Sequence, residues 1–153
     1  MVRRPTFKHA AIPNMSDIYD RQTRSKVMAC IRKADTRPEL AVRRLLHRLG
    51  FRFRLHQRNL PGTPDVVLPR YRTVIFVQGC FWHQHSCALG KVPRSNREYW
   101  LPKLKRNRAR DADNIRRLRA LEWRVIVLWE CEVANQSRLQ TELLWRLNRK
   151  ASH

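Results

Sequence analysis

The sequence predicts an α/β protein, a mixed central sheet flanked by helices. Three observations predict it. "DVVLP", "TVIFV" and "RVIVLWE" are continuous apolar runs, as strands covered on both faces require. The stretches around them carry apolar residues at helical spacing. The two kinds follow one another as helix, helix, three strands, helix, strand, helix, an order that suits helices layered on one sheet.

Each element has its own signals. Asp20 to Lys33 reads as a first helix, with Val27, Met28 and Ile31 on one side and Cys30 buried on that apolar face. Thr36-Arg37-Pro38-Glu39 fits a capping box with Pro in the first turn. Leu45, Leu46 and Leu49 continue the second helix, and Gly50 stops it. "FRFRLH" alternates, so Phe51, Phe53 and Leu55 are expected to face inward from a strand. "QRNLPGTP" is a loop by its Pro and Gly content, and a short turn at Arg70 to Arg72 joins the next two strands. Arg97 to about Glu122 reads as a long basic helix, in which Pro102 is tolerable only within the first turn. Leu139, Leu143, Leu144 and Leu147 mark a closing amphipathic helix.

The 153 residues suit one domain, expected over residues 17–150, preceded by a basic arm over residues 1–16. That arm lacks the apolar run of a secretory signal, and no segment approaches the roughly 20 apolar residues of a membrane helix. A cytoplasmic protein is expected. Lys and Arg number 33 against 12 Asp and Glu, a formal charge of +21. Such self-repulsion is reasonable in a protein whose partner is a polyanion, and nucleic acid is the expected one.

The chemistry concentrates in "FVQGCFWHQHSC". Cys80, His85 and Cys87 lie close together there, and Cys131 follows "RVIVLWE". If that strand neighbours the one ending at Val77, all four can meet. Three thiolates and one imidazole then make a closed structural zinc site, which would pin a loop with little core of its own. Three of the four cysteines are thus better read as metal ligands than all four as two disulfides. Asp65, at the entrance of a buried strand, suits a hard cation such as Mg2+. His83, not needed for zinc, is free to take a proton from a water attacking a phosphodiester. Glu39 has two readings, a helix cap or a carboxylate leaning toward the cation through water. No nucleophile elbow or Walker loop suggests another reaction.

"LPGTPDVV", "VIFVQGCFWHQHSC", "KVPRSNREYWLPKLKRN" and "WRVIVLWEC" together resemble the very-short-patch repair (Vsr) endonucleases, over about Asp20 to Cys131. The resemblance implies a restriction-endonuclease-like fold and a Mg2+-dependent nick in one strand of double-stranded DNA, 5′ of the thymine in a T:G mismatch left by deaminated 5-methylcytosine. It implies Asp65 and the Val77 carbonyl as Mg2+ ligands, His83 as general base, Glu39 in the metal shell, and Cys80, His85, Cys87 and Cys131 on Zn2+. Phe81, Trp82 and Trp100 match aromatics that wedge into the duplex, on a loop too rich in polar ligands to bury Phe81 and Trp82 easily. Lys103 and Asn107 match positions that read the mismatch, and Met28 matches one that enters the minor groove, although a core methionine is an equal reading. Eight Lys or Arg from Lys103 to Arg119, set against Asp111 and Asp113, are expected to meet phosphates or water. The sequence departs from the family at Gln78, where a second histidine is usual. Gln78 can donate a hydrogen bond but carries no proton, so slower turnover or relaxed T:G preference is expected. Kinship also implies a nucleoid-associated bacterial monomer and contact with mismatch-repair proteins. The rival readings are a nicking enzyme with relaxed specificity and a zinc-stabilised DNA-binding protein without catalysis.

Overall fold

The structure, a computed structural model, describes residues 19–30 and 34–148. The basic arm expected over residues 1–16 and the end of the first helix at residues 31–33 lie outside the described residues. Asp20 opens α1 (Arg21–Cys30) by accepting the Thr23 amide at 2.7 Å. No residue of α1 is buried, and Cys30 is exposed, which corrects the expectation that it sits in a core. The helix is too basic to bury a face. It touches the rest of the protein through Met28, against an aromatic cluster, and through Arg24, whose guanidinium lies over the Tyr99 ring at 5.0 Å.

Thr36 caps α2 (Arg37–Arg48) as its sequence predicts, and Val42, Leu45 and Leu46 face the core. Gly50 follows in the left-handed region with φ +83°, where a Cβ would be strained. β1 (Arg54–Leu55) is only two residues long. Phe51 is buried and Phe53 partly so, but Leu55 is 38 % exposed, contrary to expectation. The alternation fails because His56 turns the chain with φ 45° as soon as pairing has begun.

β2 (Val66–Leu68) pairs antiparallel with β1 and with β3 (Thr73–Gln78), and β3 runs parallel to β4 (Arg124–Trp129) from Thr73↔Arg124 to Gln78↔Trp129. The sheet order is therefore β1-β2-β3-β4, a mixed sheet. A parallel pair needs a crossover, and α3 (Arg97–Ala120) supplies it. Pro102 is the sixth residue of α3 rather than part of its first turn. It lies on the exposed side, where water can take up the Glu98 carbonyl that has lost its amide partner. α4 (Glu130–Val133) and α5 (Gln136–Asn148) complete the chain.

Helices cover both faces of the sheet. Val66, Leu68, Ile75, Ile126 and Leu128 pack with α2 residues and with Leu139, Leu143 and Leu147 of α5. Val67 and Val74 pack on the other side with Leu118 of α3. Strand neighbours thus go to opposite layers, which is why the runs are apolar throughout. Among the described residues no helix is long and apolar enough to cross a membrane.

Candidate active site and metal centre

β3 and β4 end side by side at Gln78 and Trp129, so the segments leaving them share one end of the sheet. After β3 the chain turns tightly: His83 N–H donates to the Gly79 carbonyl at 3.2 Å and His85 N–H to that of Cys80 at 2.9 Å. Gly90 then packs on the turn so closely that a Cβ there would lie 1.8 Å from the His85 carbonyl oxygen. Only glycine fits.

Cys80, His85 and Cys87 on this loop meet Cys131 on α4, with their ligand atoms all within 4.8 Å of one another. The four residues singled out in the sequence are therefore brought together. His85 Nδ1 lies 3.4 Å from Cys131 Sγ, and its ring stacks on Trp129 at 4.4 Å. Burial pushes the Cys80 thiol up to about 12 and raises that of Cys131. Burial opposes ionisation at Cys87 too, but hydrogen bonds from His85 and Cys80 bring it down to about 7. Three thiols crowded around an imidazole form a donor set that a tetrahedral thiophilic cation satisfies and that protons alone satisfy badly.

Asp65 precedes β2, and its Oδ2 accepts the Val77 amide of β3 at 2.7 Å. Burial, helped by the charge of Glu39 and opposed by the Val77 N–H, His56 and Arg43, raises its carboxyl from 3.8 to about 6. Glu39 takes the first of its two expected places, the helix cap. Its Oε1 accepts the Thr36 hydroxyl at 2.8 Å and its Oε2 the Asp35 amide at 2.9 Å, as a cap should, yet its charge also acts on Asp65. Gln78 is buried at the end of β3.

His83 lies on the loop leaving that same strand. Its Nδ1 is hydrogen-bonded to Asp111 Oδ2 of α3, a pairing the sequence reading missed, having counted Asp111 only as a counter-charge. The available signal was the four-residue spacing from Lys103 to Asn107 to Asp111, which lines one face of a helix. With Nδ1 engaged, Nε2 is the nitrogen left for proton transfer.

The aromatics depart from expectation. Phe81 and Trp100 are 9 % and 3 % exposed, and Trp82 is half-buried. Their rings meet edge to face, at 5.0 Å for Phe81–Trp82 and 5.2 Å for Phe81–Trp100, over Leu104, with Met28 and Val92 alongside. A polar loop buries them because the cluster is a small core of its own between α1 and α3. Met28 belongs to it and not to the main core. Lys103 Nζ lies 5.6 Å from the Trp82 ring and 5.7 Å from that of Trp100, and Asn107 Nδ2 donates to the Trp82 carbonyl at 3.2 Å.

A half-buried carboxylate, a carboxylate-held imidazole and a thiol–imidazole quartet at one end of a mixed sheet are consistent with metal-assisted hydrolysis on a polyanion. Residues 16–89 match the family model described as DNA mismatch endonuclease Vsr. The chain is 49 % identical over 129 residues to the type II nicking enzyme V.XorIIP of Xanthomonas oryzae pv. oryzae, covering 84 % of this chain and 95 % of that protein. It is 45 % identical over 130 residues to the DNA mismatch endonuclease Vsr of Escherichia coli, covering 85 % and 83 %. To the type II nicking enzyme V.NmeAIP of Neisseria meningitidis it is 44 % identical over 123 residues, covering 80 % and 88 %. With relatives this similar spanning most of its length, and with the site that its own residues assemble, the chain belongs to the Vsr DNA mismatch endonuclease family.

Proposed function

We propose that this DNA endonuclease is a Mg2+-dependent nickase of restriction-endonuclease-like fold that cuts one strand 5′ of the thymine in T:G mismatches. The observation that carries the reading is the half-buried Asp65 carboxylate, tied to the Val77 amide of β3, with the His83–Asp111 pair on the loop leaving the same strand. The donors fit the two metals the family implies. A half-buried hard carboxylate under repulsion from Glu39 is one that a cation relieves, and the Cys80, His85, Cys87 and Cys131 quartet suits Zn2+.

Asp65 and the Val77 carbonyl would hold Mg2+, with Glu39 in its outer shell. When bound, the ion would polarise the scissile phosphate and stabilise the charge that builds on it. His83 takes the proton of the attacking water at Nε2. Asp111, on Nδ1, fixes the ring's orientation and steadies the imidazolium that forms. Gln78 orients the phosphate as a neutral donor, leaving His83 to carry the proton. Phe81, Trp82 and Trp100 open the duplex at the weakly paired step, where unstacking needs only roughly a few kcal/mol. Lys103, Asn107 and Met28 meet the mismatch region. The zinc quartet stiffens the loop that holds both wedge and base.

Labelled duplexes carrying T:G, C:G or another mismatch test this with Mg2+ present. Nicking confined to T:G is the expected result. Equal nicking of all duplexes would give the relaxed-specificity enzyme, and binding without nicking at any Mg2+ level would give a non-catalytic DNA-binding protein.

A further inference from the structure

Next to Asp65 lies a second set of potential cation ligands. Asp35, Glu39 and His56 offer two carboxylates and an imidazole, with ligand atoms all within 4.8 Å of one another. Such a set suits a divalent transition ion. The backbone is strained at two of the three positions, with φ 55° at Asp35 and φ 45° at His56, and strain of this kind persists where surrounding contacts impose it.

A cation already stands among these ligands, and it is a side chain. Arg43 Nη1 is 2.6 Å from Asp35 Oδ1, and its Nη2 is 3.1 Å from Glu39 Oε2 and 2.9 Å from His56 Nε2. Arg43 is itself only 9 % exposed. A guanidinium buried this deeply is retained where its charge is matched, and here it meets both carboxylates at once. The same groups are felt at Asp65, where Glu39 raises the carboxyl and His56 and Arg43 lower it. Asp35, whose side chain is 59 % exposed, forms the wall open to solvent.

We propose that the Arg43 guanidinium is a built-in cation, filling a two-carboxylate, one-imidazole pocket beside Asp65 so that Glu39 is held in place and a single exchangeable divalent ion binds, at Asp65. Arg43 is thus a positioning residue that also decides how many ions the centre takes. The inference rests on the reading of Asp65 as a cation ligand.

Counting bound Mn2+ by electron paramagnetic resonance on the zinc-loaded full chain separates the two ideas. The wild type should bind one Mn2+, Arg43→Ala two, Asp65→Asn none, and Asp65→Asn/Arg43→Ala one. Adding Glu39→Gln to Arg43→Ala should remove the gained ion. If Arg43→Ala gains no ion, alone or on the Asp65→Asn background, the built-in cation is wrong even if Asp65 binds. If Asp65→Asn keeps the wild-type ion, the reading of Asp65 fails instead. Arg43→Ala leaves buried charge unpaired and will be less stable, so its melting is followed as well. Mn2+ should raise its Tm more than that of the wild type. A variant that stays unfolded in Mn2+ while Arg43→Ala/Glu39→Gln folds would also overturn the proposal.

Discussion

Asp65→Asn should make the metal-free protein more stable while abolishing nicking. Burial and the Glu39 charge lift the Asp65 carboxyl from 3.8 to about 6. The difference corresponds to about 3 kcal/mol of penalty on the ionised form. The sign follows from proton counting. Between those two values the folded chain holds a proton that the unfolded chain has lost. Stability from this group is therefore fully present below the unfolded value and is lost as pH rises through about 6. Above that, metal-free wild type bears the whole penalty and Asn bears none. An Asn oxygen can still accept the Val77 amide, although its new amide group needs an acceptor and gives back about 1 kcal/mol. The net gain at neutral pH is about 2 kcal/mol, or about 4–8 °C in Tm for a chain of this size. Melting of both proteins in Mg2+-free buffer with zinc retained, from about pH 5 to about pH 8, measures it. The Cys80, His85, Cys87 and Cys131 quartet is the same in both and cancels in the difference. The gap should widen as pH rises through about 6 and then level off. A constant gap, or a variant less stable than wild type at neutral pH, would refute the reasoning. Added Mg2+ should close the gap by stabilising only the wild type, since an ion that binds only the native state adds to its stability.

Three further outcomes follow from other contacts. Cys131→Ser should lose its zinc, as read by metal analysis. Structural zinc is worth about 10–16 kcal/mol in small domains, so melting should become broad or disappear. Asp111→Asn should slow nicking of a T:G duplex by about 10²–10⁴-fold while gel-shift binding holds, because it unseats His83 and leaves the basic side chains of α3 in place. Gly62→Ala should lower stability by about 1–3 kcal/mol in urea unfolding, since Gly62 sits at φ +75° and a Cβ would lie 2.9 Å from Asn114 Nδ2. Adding Asn114→Ala should recover the steric part and leave the backbone strain.

What the sequence revealed and what it hid divide along physical lines. Local signals were legible: the Thr36–Glu39 capping box, the apolar runs of β2, β3 and β4, and the close spacing of Cys80, His85 and Cys87. Each depends on neighbours a few residues apart. Cys131 was placed correctly only because parallel pairing of β3 and β4 brings their ends together, a non-local condition that the sequence could only suppose. The misses are contacts between distant segments. Cys30 looked buried because Val27, Met28 and Ile31 mimic an apolar face, yet among the described residues α1 buries none of its own and meets the aromatic cluster through Met28. Phe81 looked exposed because its loop is polar, while Trp100 and Leu104, from a helix further along, provide its core. Arg43 looked like one more basic residue in a chain of +21, and only the fold sets it among Asp35, Glu39 and His56.

One face of α3 carries the contacts to which the proposed mechanism assigns recognition and chemistry. Lys103, Asn107, Asp111 and Asn114 follow at spacings of four, four and three, so they form a stripe along about 16 Å of helix. In order they meet the Trp82 and Trp100 rings, the Trp82 carbonyl, the His83 ring and the loop at Gly62 that leads to Asp65. The loop is braced at its other side by the quartet with Cys131. Trp82 and His83, the wedge and the base of the proposed mechanism, are adjacent in sequence and held by successive turns of one helix, so neither shifts without the other. On the proposed mechanism, a duplex that resists opening at Trp82 would withhold His83 from the phosphate. Selectivity would then reside in the cutting step as much as in binding. Replacing Asn107 should accordingly narrow the rate difference between T:G and C:G duplexes more than it weakens the affinity for either.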